Sequence, residues 1–155
     1  MNEPLVIKRS EWYRGNRTGS ALLRKQDGRK CCLGFECLLR GIPANRIEGR
    51  GLPIYIWDSD DLRDKLIGLI EQGSLELYSE RSSCFIEVAA TLNDYSLDSD
   101  KPPFSLRDKD FTSWFRKHAP PEVWDFHLPT SEADREAIIQ RLFKHFLDRE
   151  VIYED

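Results

Sequence analysis

The sequence predicts a single α+β domain with about five helices and a small, mainly antiparallel sheet. Its 155 residues are 40% hydrophobic and 32% charged, which is typical of one folded domain with its own core. Short β-branched runs lie near the two ends of the chain, whereas the spacing of apolar residues between them is mostly helical. Strands and helices do not alternate regularly, and this order favours an α+β fold over a doubly wound one.

The first third of the chain predicts a strand, a hairpin and a helix, in that order. The run Leu5-Val6-Ile7 is short, apolar and β-branched, as in a buried strand. The pair Asp27-Gly28 separates two partly apolar runs and is a common hairpin turn. A helix is expected over Cys32–Arg40 and should end at Gly41, because glycine readily takes the left-handed conformation that closes a helix.

The rest of the chain predicts mainly helices, each with its own start or stop signal. Ser59 suits the N-cap of a helix over Asp60–Glu71, and the apolar spacing over Phe85–Leu92 predicts a helix that stops at Asn93. Four more elements are expected: a helix from Ser105 to about His118, a strand over Glu122–Leu128, a helix from Glu132 to about Leu147 capped by Thr130 or Ser131, and a closing strand over Val151–Tyr153.

Charge is unevenly distributed along the chain. The first fifty residues carry 11 Lys and Arg against 5 Asp and Glu, a net charge of +6, although the whole chain has a net charge of −4. A basic first third can attract a phosphate-bearing ligand. Alternatively, the basic and acidic parts attract each other in the fold or form solvated faces. The overall acidity disfavours a general nucleic-acid-binding protein.

The compartment is indicated by what the sequence lacks. The N-terminal residues have neither the apolar stretch nor the cleavage site of a signal peptide, and no apolar run approaches the length of a membrane span. We therefore expect a cytoplasmic protein without a membrane partner. The four cysteines, Cys31, Cys32, Cys37 and Cys84, are then expected to be thiols rather than disulfides.

A dense signature begins at Trp12 and continues into the later loops. It resembles the form W-x-R-G … L-L-R … G-K-x-C-C-L-G-F, followed by a glycine-rich segment and an Asn-Asp pair. The residues that carry it are Trp12, Arg14, Gly15, Leu22, Leu23, Arg24, Gly28, Cys31, Cys32, Leu33, Gly34, Phe35, Gly41, Ile47, Gly49, Gly51, Pro53, Asn93 and Asp94. With these residues the chain resembles small, uncharacterised proteins of tailed bacteriophages and prophages. The resemblance implies a phage origin, a place in the host cytoplasm and an insertion over residues 97–128, but no established activity.

Three of the cysteines cluster where the predicted hairpin meets the predicted helix. Zinc is disfavoured because Cys31, Cys32 and Cys37 lack the pair spacing of a structural site, and only Cys84 and scattered histidines could complete one. Cys31 or Cys32 could act as a nucleophile, because the helix N-terminus and the adjacent Arg29 and Lys30 favour a thiolate, but no local signature supplies a base. The other interpretation is that these cysteines pack as small hydrophobic residues.

The loop from Arg14 to Ser20 is the best candidate for ligand binding. Glycines expose backbone N–H groups, and arginines offer planar donors that suit phosphate or carboxylate. The candidate ligand-binding residues are Arg14, Gly15, Asn16, Arg17, Arg24 and Arg29. No Gly-Lys-Ser/Thr follows, so the loop is not a P-loop. The alternative is that Arg14 is buried against an acidic helix and stabilises the fold.

Three functions are compatible with these features. The first is a non-enzymatic protein that acts on a host protein, with Asp58, Asp60, Asp61, Trp114 and Trp124 as candidate contact residues. The second is a protein that binds a small anionic ligand, such as a nucleotide, through the arginine–glycine loop. The third is a cysteine-dependent enzyme. The chain has none of the familiar catalytic, metal or dinucleotide motifs, so we assign no catalytic residue and expect no metal or cofactor.

Overall fold

The computed structural model describes residues 3–16, 18–51, 60–70, 80–97 and 129–155. The strands in these ranges are β1 (Leu5–Lys8) and β2 (Val151–Glu154), and the helices are α1 (Cys32–Leu39), α2 (Ala44–Ile47), α3 (Asp60–Ile70), α4 (Glu80–Asp94) and α5 (Glu132–Leu147). The α+β class is therefore confirmed. The helix expected from Ser105, the strand expected from Glu122 and nearly all of the proposed insertion lie outside the described residues.

The two strands come from opposite ends of the chain and pair in parallel. Leu5 lies opposite Val151 and Lys8 lies opposite Glu154. The expectation of a mainly antiparallel sheet is therefore wrong for the described residues. The physical reason is the connection: a hairpin joins antiparallel neighbours, whereas parallel neighbours need a long crossover, which here contains the helices between β1 and β2.

The segment expected to form a hairpin makes a tight turn without two regular strands. Gly28 N donates to Arg24 O at 3.0 Å, and Arg24 N donates to Arg29 O at 2.9 Å. Leu23, on one flank of this turn, forms an isolated bridge with Glu48 instead of joining a ladder. The Asp-Gly pair therefore predicts the turn correctly, but long-range contacts decide what its flanks pair with.

Helix ends follow the local sequence signals. Ser131 is the N-cap of α5, since its hydroxyl accepts a hydrogen bond from Asp134 N at 3.0 Å. Gly41 lies just beyond the end of α1 with a φ of 79°, as expected for a closing glycine. Within the described ranges, no helix is both long and apolar enough to span a bilayer.

Helix α1 is buried over most of its length and lies against the backbone at Leu22. A Cβ atom at Gly34 would lie 1.8 Å from Leu22 O, far inside van der Waals contact. Only glycine allows this approach, so Gly34 is in the signature because a helix and a chain segment touch there.

One buried amide joins three parts of the signature. Asn93 Oδ1 accepts from Trp12 Nε1 at 2.7 Å and from Cys32 N at 3.0 Å. Asn93 Nδ2 donates to Tyr13 O at 2.9 Å and to Asp94 Oδ1 at 2.8 Å. Asn93 thereby connects the segment after β1, the start of α1 and the end of α4.

A buried carboxylate connects α1 to the residues just before β2. Glu36 is fully buried and accepts from Arg149 at 2.9 Å and from Arg40 at 2.8 Å. Removing one partner of a buried ion pair is strongly destabilising, because it leaves an uncompensated charge. We therefore assign Glu36 and its arginines to the stability of the fold.

Candidate functional site: a guanidinium–tyrosine cluster

Arg14, the first candidate ligand-binding residue, pairs with helix α5. Arg14 Nε donates to Glu132 Oε2 at 3.0 Å, and its guanidinium carbon lies 4.5 Å from the ring centroid of Trp12. Burial opposes the ionisation of Glu132, but hydrogen bonds from Arg135 and Arg14 outweigh it, so the pKa of Glu132 is lowered. The structure therefore places Arg14 against an acidic residue of the fold.

Gly15 contributes to a contact at the C-terminal end of α4. Gly15 N donates to Asn93 O at 2.7 Å, with a φ of 73°. The fully buried Arg135 donates to the same carbonyl at 3.1 Å and to Tyr95 O at 2.6 Å. Carbonyls at a helix C-terminus have no partner within the helix, so these donors satisfy them. Gly15 is thus accounted for by the fold.

Asn16 has a local role in the same loop. Its Oδ1 accepts from Thr18 N at 2.9 Å, which is the geometry by which asparagine stabilises a turn. Its neighbour Arg17 lies outside the described residues.

The last two candidates, Arg24 and Arg29, come together over the ring of Tyr13. Their guanidinium carbons lie 3.8 Å and 5.4 Å from the ring centroid, within the range of a cation–π contact. Tyr13 Oη donates to Thr18 O at 2.6 Å, which connects the ring to the candidate loop. We name Tyr13, Arg24 and Arg29 the guanidinium–tyrosine cluster.

Both arginines of the cluster keep a side-chain donor unused. Nε of Arg24 and Nε of Arg29 are buried, and neither donates a hydrogen bond within the part of the chain that the structure describes. Arg24 Nε lies 3.3 Å from Asp27 Oδ1, which is an ion-pair distance, but the N–H is not directed at that oxygen. A buried donor without a partner costs about 1–3 kcal/mol, so a suitably placed acceptor relieves a real penalty.

The carboxylate of Asp27 lies beside the cluster, as expected if the cluster attracts anionic oxygen groups. Its carboxylate lies beside Arg24, and its Oδ1 also accepts from Arg29 N at 3.0 Å. Arg29 Nη2 donates to Trp12 O at 2.8 Å, which holds that guanidinium near the Tyr13 ring. Residues 25–28 of the adjoining turn are exposed.

The cysteines at the start of α1 are buried and protonated. Burial raises the pKa of Cys31 to about 12 and raises the pKa values of Cys32 and Cys37. The expectation that Arg29, Lys30 and the helix N-terminus favour a thiolate at Cys31 or Cys32 is therefore wrong, because desolvation by burial is the largest influence on both pKa values. Their environment suits packing rather than nucleophilic chemistry.

The residues expected to contact a host protein lie mostly beyond the described ranges. Asp58, Trp114 and Trp124 are outside them, whereas Asp60 begins α3 and Asp61 is exposed on the same helix. The described ranges also contain no group of three or more His, Cys, Asp or Glu side chains arranged to hold a metal ion.

Tyr13 is the member of the cluster that was not predicted from the sequence as a ligand-binding residue. An aromatic residue beside an arginine–glycine loop was a usable signal, because arginine often stacks on aromatic rings. The sequence does not show which arginine does so. Arg14 is adjacent to Tyr13 in the chain but contacts Trp12, whereas Arg24 and Arg29 approach Tyr13 through the turn.

No protein-family model, curated protein or solved structure matches this chain. The resemblance to phage proteins stays a prediction made from the signature residues, and the function is inferred from the geometry of the cluster.

Proposed function

We propose that this protein is a non-enzymatic binding protein whose guanidinium–tyrosine cluster takes a small ligand by its phosphate group. The buried Nε–H donors of Arg24 and Arg29, which make no hydrogen bond within the described residues, carry this proposal. Guanidinium groups present their donors in a planar fork, and an oxyanion offers several acceptors at matching distances. One bound anion therefore supplies acceptors to both arginines.

Local charge favours phosphate over carboxylate. A single carboxylate, Asp27, already lies beside Arg24, so an incoming anion must compete with it. A phosphate monoester carries nearly two negative charges at neutral pH and three acceptor oxygens, so it competes better than a second carboxylate. The excess of positive charge in the first fifty residues adds a general attraction for such a ligand.

The chemistry of the cluster supports recognition rather than catalysis. Arginine stays protonated at all accessible pH values, and Tyr13 Oη already donates to Thr18 O. None of the three side chains is therefore a ready general base, and the buried thiols of α1 are not ready nucleophiles.

Action on a host protein is a separate proposal that comes from the resemblance. Among its candidate contacts, only Asp60 and Asp61 fall within the described residues. The geometry therefore supports ligand binding more directly than it supports this role.

Arginine side-chain NMR of the full chain tests the ligand-binding proposal. Inorganic phosphate, AMP and ATP are titrated into protein with ¹⁵N-labelled arginine, and the Nε–H resonances of Arg24 and Arg29 are followed. We expect both to shift saturably, because each gains an acceptor. Sodium chloride at matched ionic strength controls for screening, and acetate controls for carboxylate binding. If these two resonances respond equally to phosphate and to chloride, the proposal is wrong.

Matched arginine variants assign the effect to the cluster. Hydrogen bonds to charged groups contribute about 1.5–3 kcal/mol, so Arg24→Met or Arg29→Met should weaken phosphate binding roughly tenfold or more. Arg141→Met removes an exposed arginine on α5 and should leave the affinity unchanged. Equal loss in all three variants would indicate a general charge effect instead of a site.

Asp27→Asn tests the competition directly. The substitution removes the negative charge beside Arg24 but keeps an oxygen that can accept from Arg29 N. We expect tighter phosphate binding, measured by the same titration. An unchanged or weaker affinity contradicts the position proposed for the anion.

A further inference from the structure

Two exposed apolar side chains lie next to each other on the sheet. Large apolar residues exposed within the described ranges are Val6 at 37%, Leu97 at 38% and Ile152 at 38%. The parallel register places Val6 of β1 directly opposite Ile152 of β2. Neighbouring strands are about 4.8 Å apart, so these two side chains form one continuous apolar patch.

A pair of opposite charges borders the patch. Lys8 lies opposite Glu154, two residues further along each strand, and both side chains are exposed. Residues two apart in a strand point to the same face of the sheet. We name Val6, Lys8, Ile152 and Glu154 the outer sheet face.

We propose that the outer sheet face packs against the same face of a second copy of this chain. A two-fold axis parallel to the strands places β1 of each copy over β2 of the other. Val6 then contacts the partner's Ile152, and Lys8 faces the partner's Glu154. The face is therefore complementary to itself in apolar and charged residues, as an isologous interface requires.

The expected dimer is weak because the face is small. Stable interfaces bury about 800 Å² on each partner, which is more than four side chains provide. We therefore expect a monomer–dimer equilibrium in the high-micromolar range. Salt should shift it toward the monomer, since exposed charge pairs are screened.

Sedimentation equilibrium of the full chain, from about 10 μM to about 1 mM, tests this proposal. The double variant Val6→Thr/Ile152→Thr keeps the β-branched shape but removes apolar contact from both copies, so dimerisation should weaken at least tenfold. Leu97→Thr is the matched control, because it changes the third exposed apolar residue, which belongs to neither strand. A monomer throughout the range, or a dimer that tolerates the double variant, overturns the proposal.

Charge exchange gives a second test that does not depend on the apolar variants folding. Lys8→Glu should weaken the dimer, because it sets like charges against each other across the two-fold axis. Adding Glu154→Lys to the same chain should restore it, since the exchanged pair is again complementary. Circular dichroism checks that each variant is folded. If the double exchange dimerises no better than Lys8→Glu alone, the proposed arrangement is wrong.

Discussion

Two groups of arginines, Arg14 with Arg135 and Arg24 with Arg29, have different structural roles. Arg14 and Arg135 share Glu132, and Arg135 also donates to the carbonyls at the end of α4. Arg24 and Arg29 stack over Tyr13, and among the described residues neither of their buried Nε–H groups has a hydrogen-bond acceptor. The first group donates its hydrogen bonds to residues of the fold. The second group keeps Nε–H donors with which we propose that a ligand bonds.

This difference is a practical criterion for separating structural arginines from candidate ligand-binding ones. Charge and position in a signature do not separate them, because Arg14 and Arg24 are both signature residues. The decisive property is how many guanidinium donors the folded protein already satisfies.

The largest expected effect is on the contact between Gly34 and Leu22. Gly34→Ala places a Cβ atom 1.8 Å from Leu22 O, so α1 has to move away from that segment. We expect a loss of about 3 kcal/mol or more in the free energy of unfolding, measured by urea denaturation. Gly28→Ala is the control, because its φ is 71° but no atom lies within 4 Å of the added Cβ. It should cost only about 1–2 kcal/mol, and equal losses would contradict the close-contact explanation.

The next effect compares the two arginine groups directly. Arg135→Met should lower the free energy of unfolding by about 3–5 kcal/mol, because it removes these donors from the buried carbonyl of Asn93 and the partly buried carbonyl of Tyr95. Arg24→Met should change it by about 1 kcal/mol or less, since it removes one stacking contact and one partly exposed ion pair. Chemical denaturation of both variants provides the measurement. If Arg24→Met is as destabilising as Arg135→Met, the division into two groups fails.

A smaller effect concerns how the ion pairs of Arg14 and Arg135 with Glu132 contribute to protein stability at acidic pH. The pKa of Glu132 is lowered in the folded protein from an ordinary value of 4.5. Its contribution to stability is therefore present above that value and is lost as the pH falls through the lower folded pKa. Glu132→Gln should flatten the loss of stability on acidification, measured by thermal unfolding across the acidic range. If Glu132→Gln leaves the acid profile unchanged, the ion pairs of Glu132 with Arg14 and Arg135 do not contribute as stated.

The smallest expected response is the alkylation of the Cys31 and Cys32 thiols in the native protein. Burial raises the pKa of Cys31 to about 12 and also raises the pKa of Cys32, so both thiols should stay protonated near neutral pH. Iodoacetamide should label neither residue in the native protein and both in urea, as read by peptide mass spectrometry. Native labelling of either residue at the rate of a free thiol would contradict the packing role.

The candidate site was only partly predictable from the sequence. Residue type identified Arg24 and Arg29 as possible phosphate ligands, because guanidinium chemistry is local to the side chain. The same reasoning selected Arg14 and Gly15, which the fold uses, and it missed Tyr13. The partner of each donor depends on residues far away in the chain: Glu132 for Arg14 and Asn93 for Gly15.

The sequence by itself determined the local elements. Ser131 caps α5, Gly41 closes α1 and Asp27-Gly28 makes a turn, because each depends on residues within one or two helical turns. Only the tertiary structure decided that β1 pairs in parallel with β2, and which arginine donors remain unused. Strand pairing and donor satisfaction depend on groups separated by most of the chain, such as Leu5 and Val151, and no local pattern encodes that proximity.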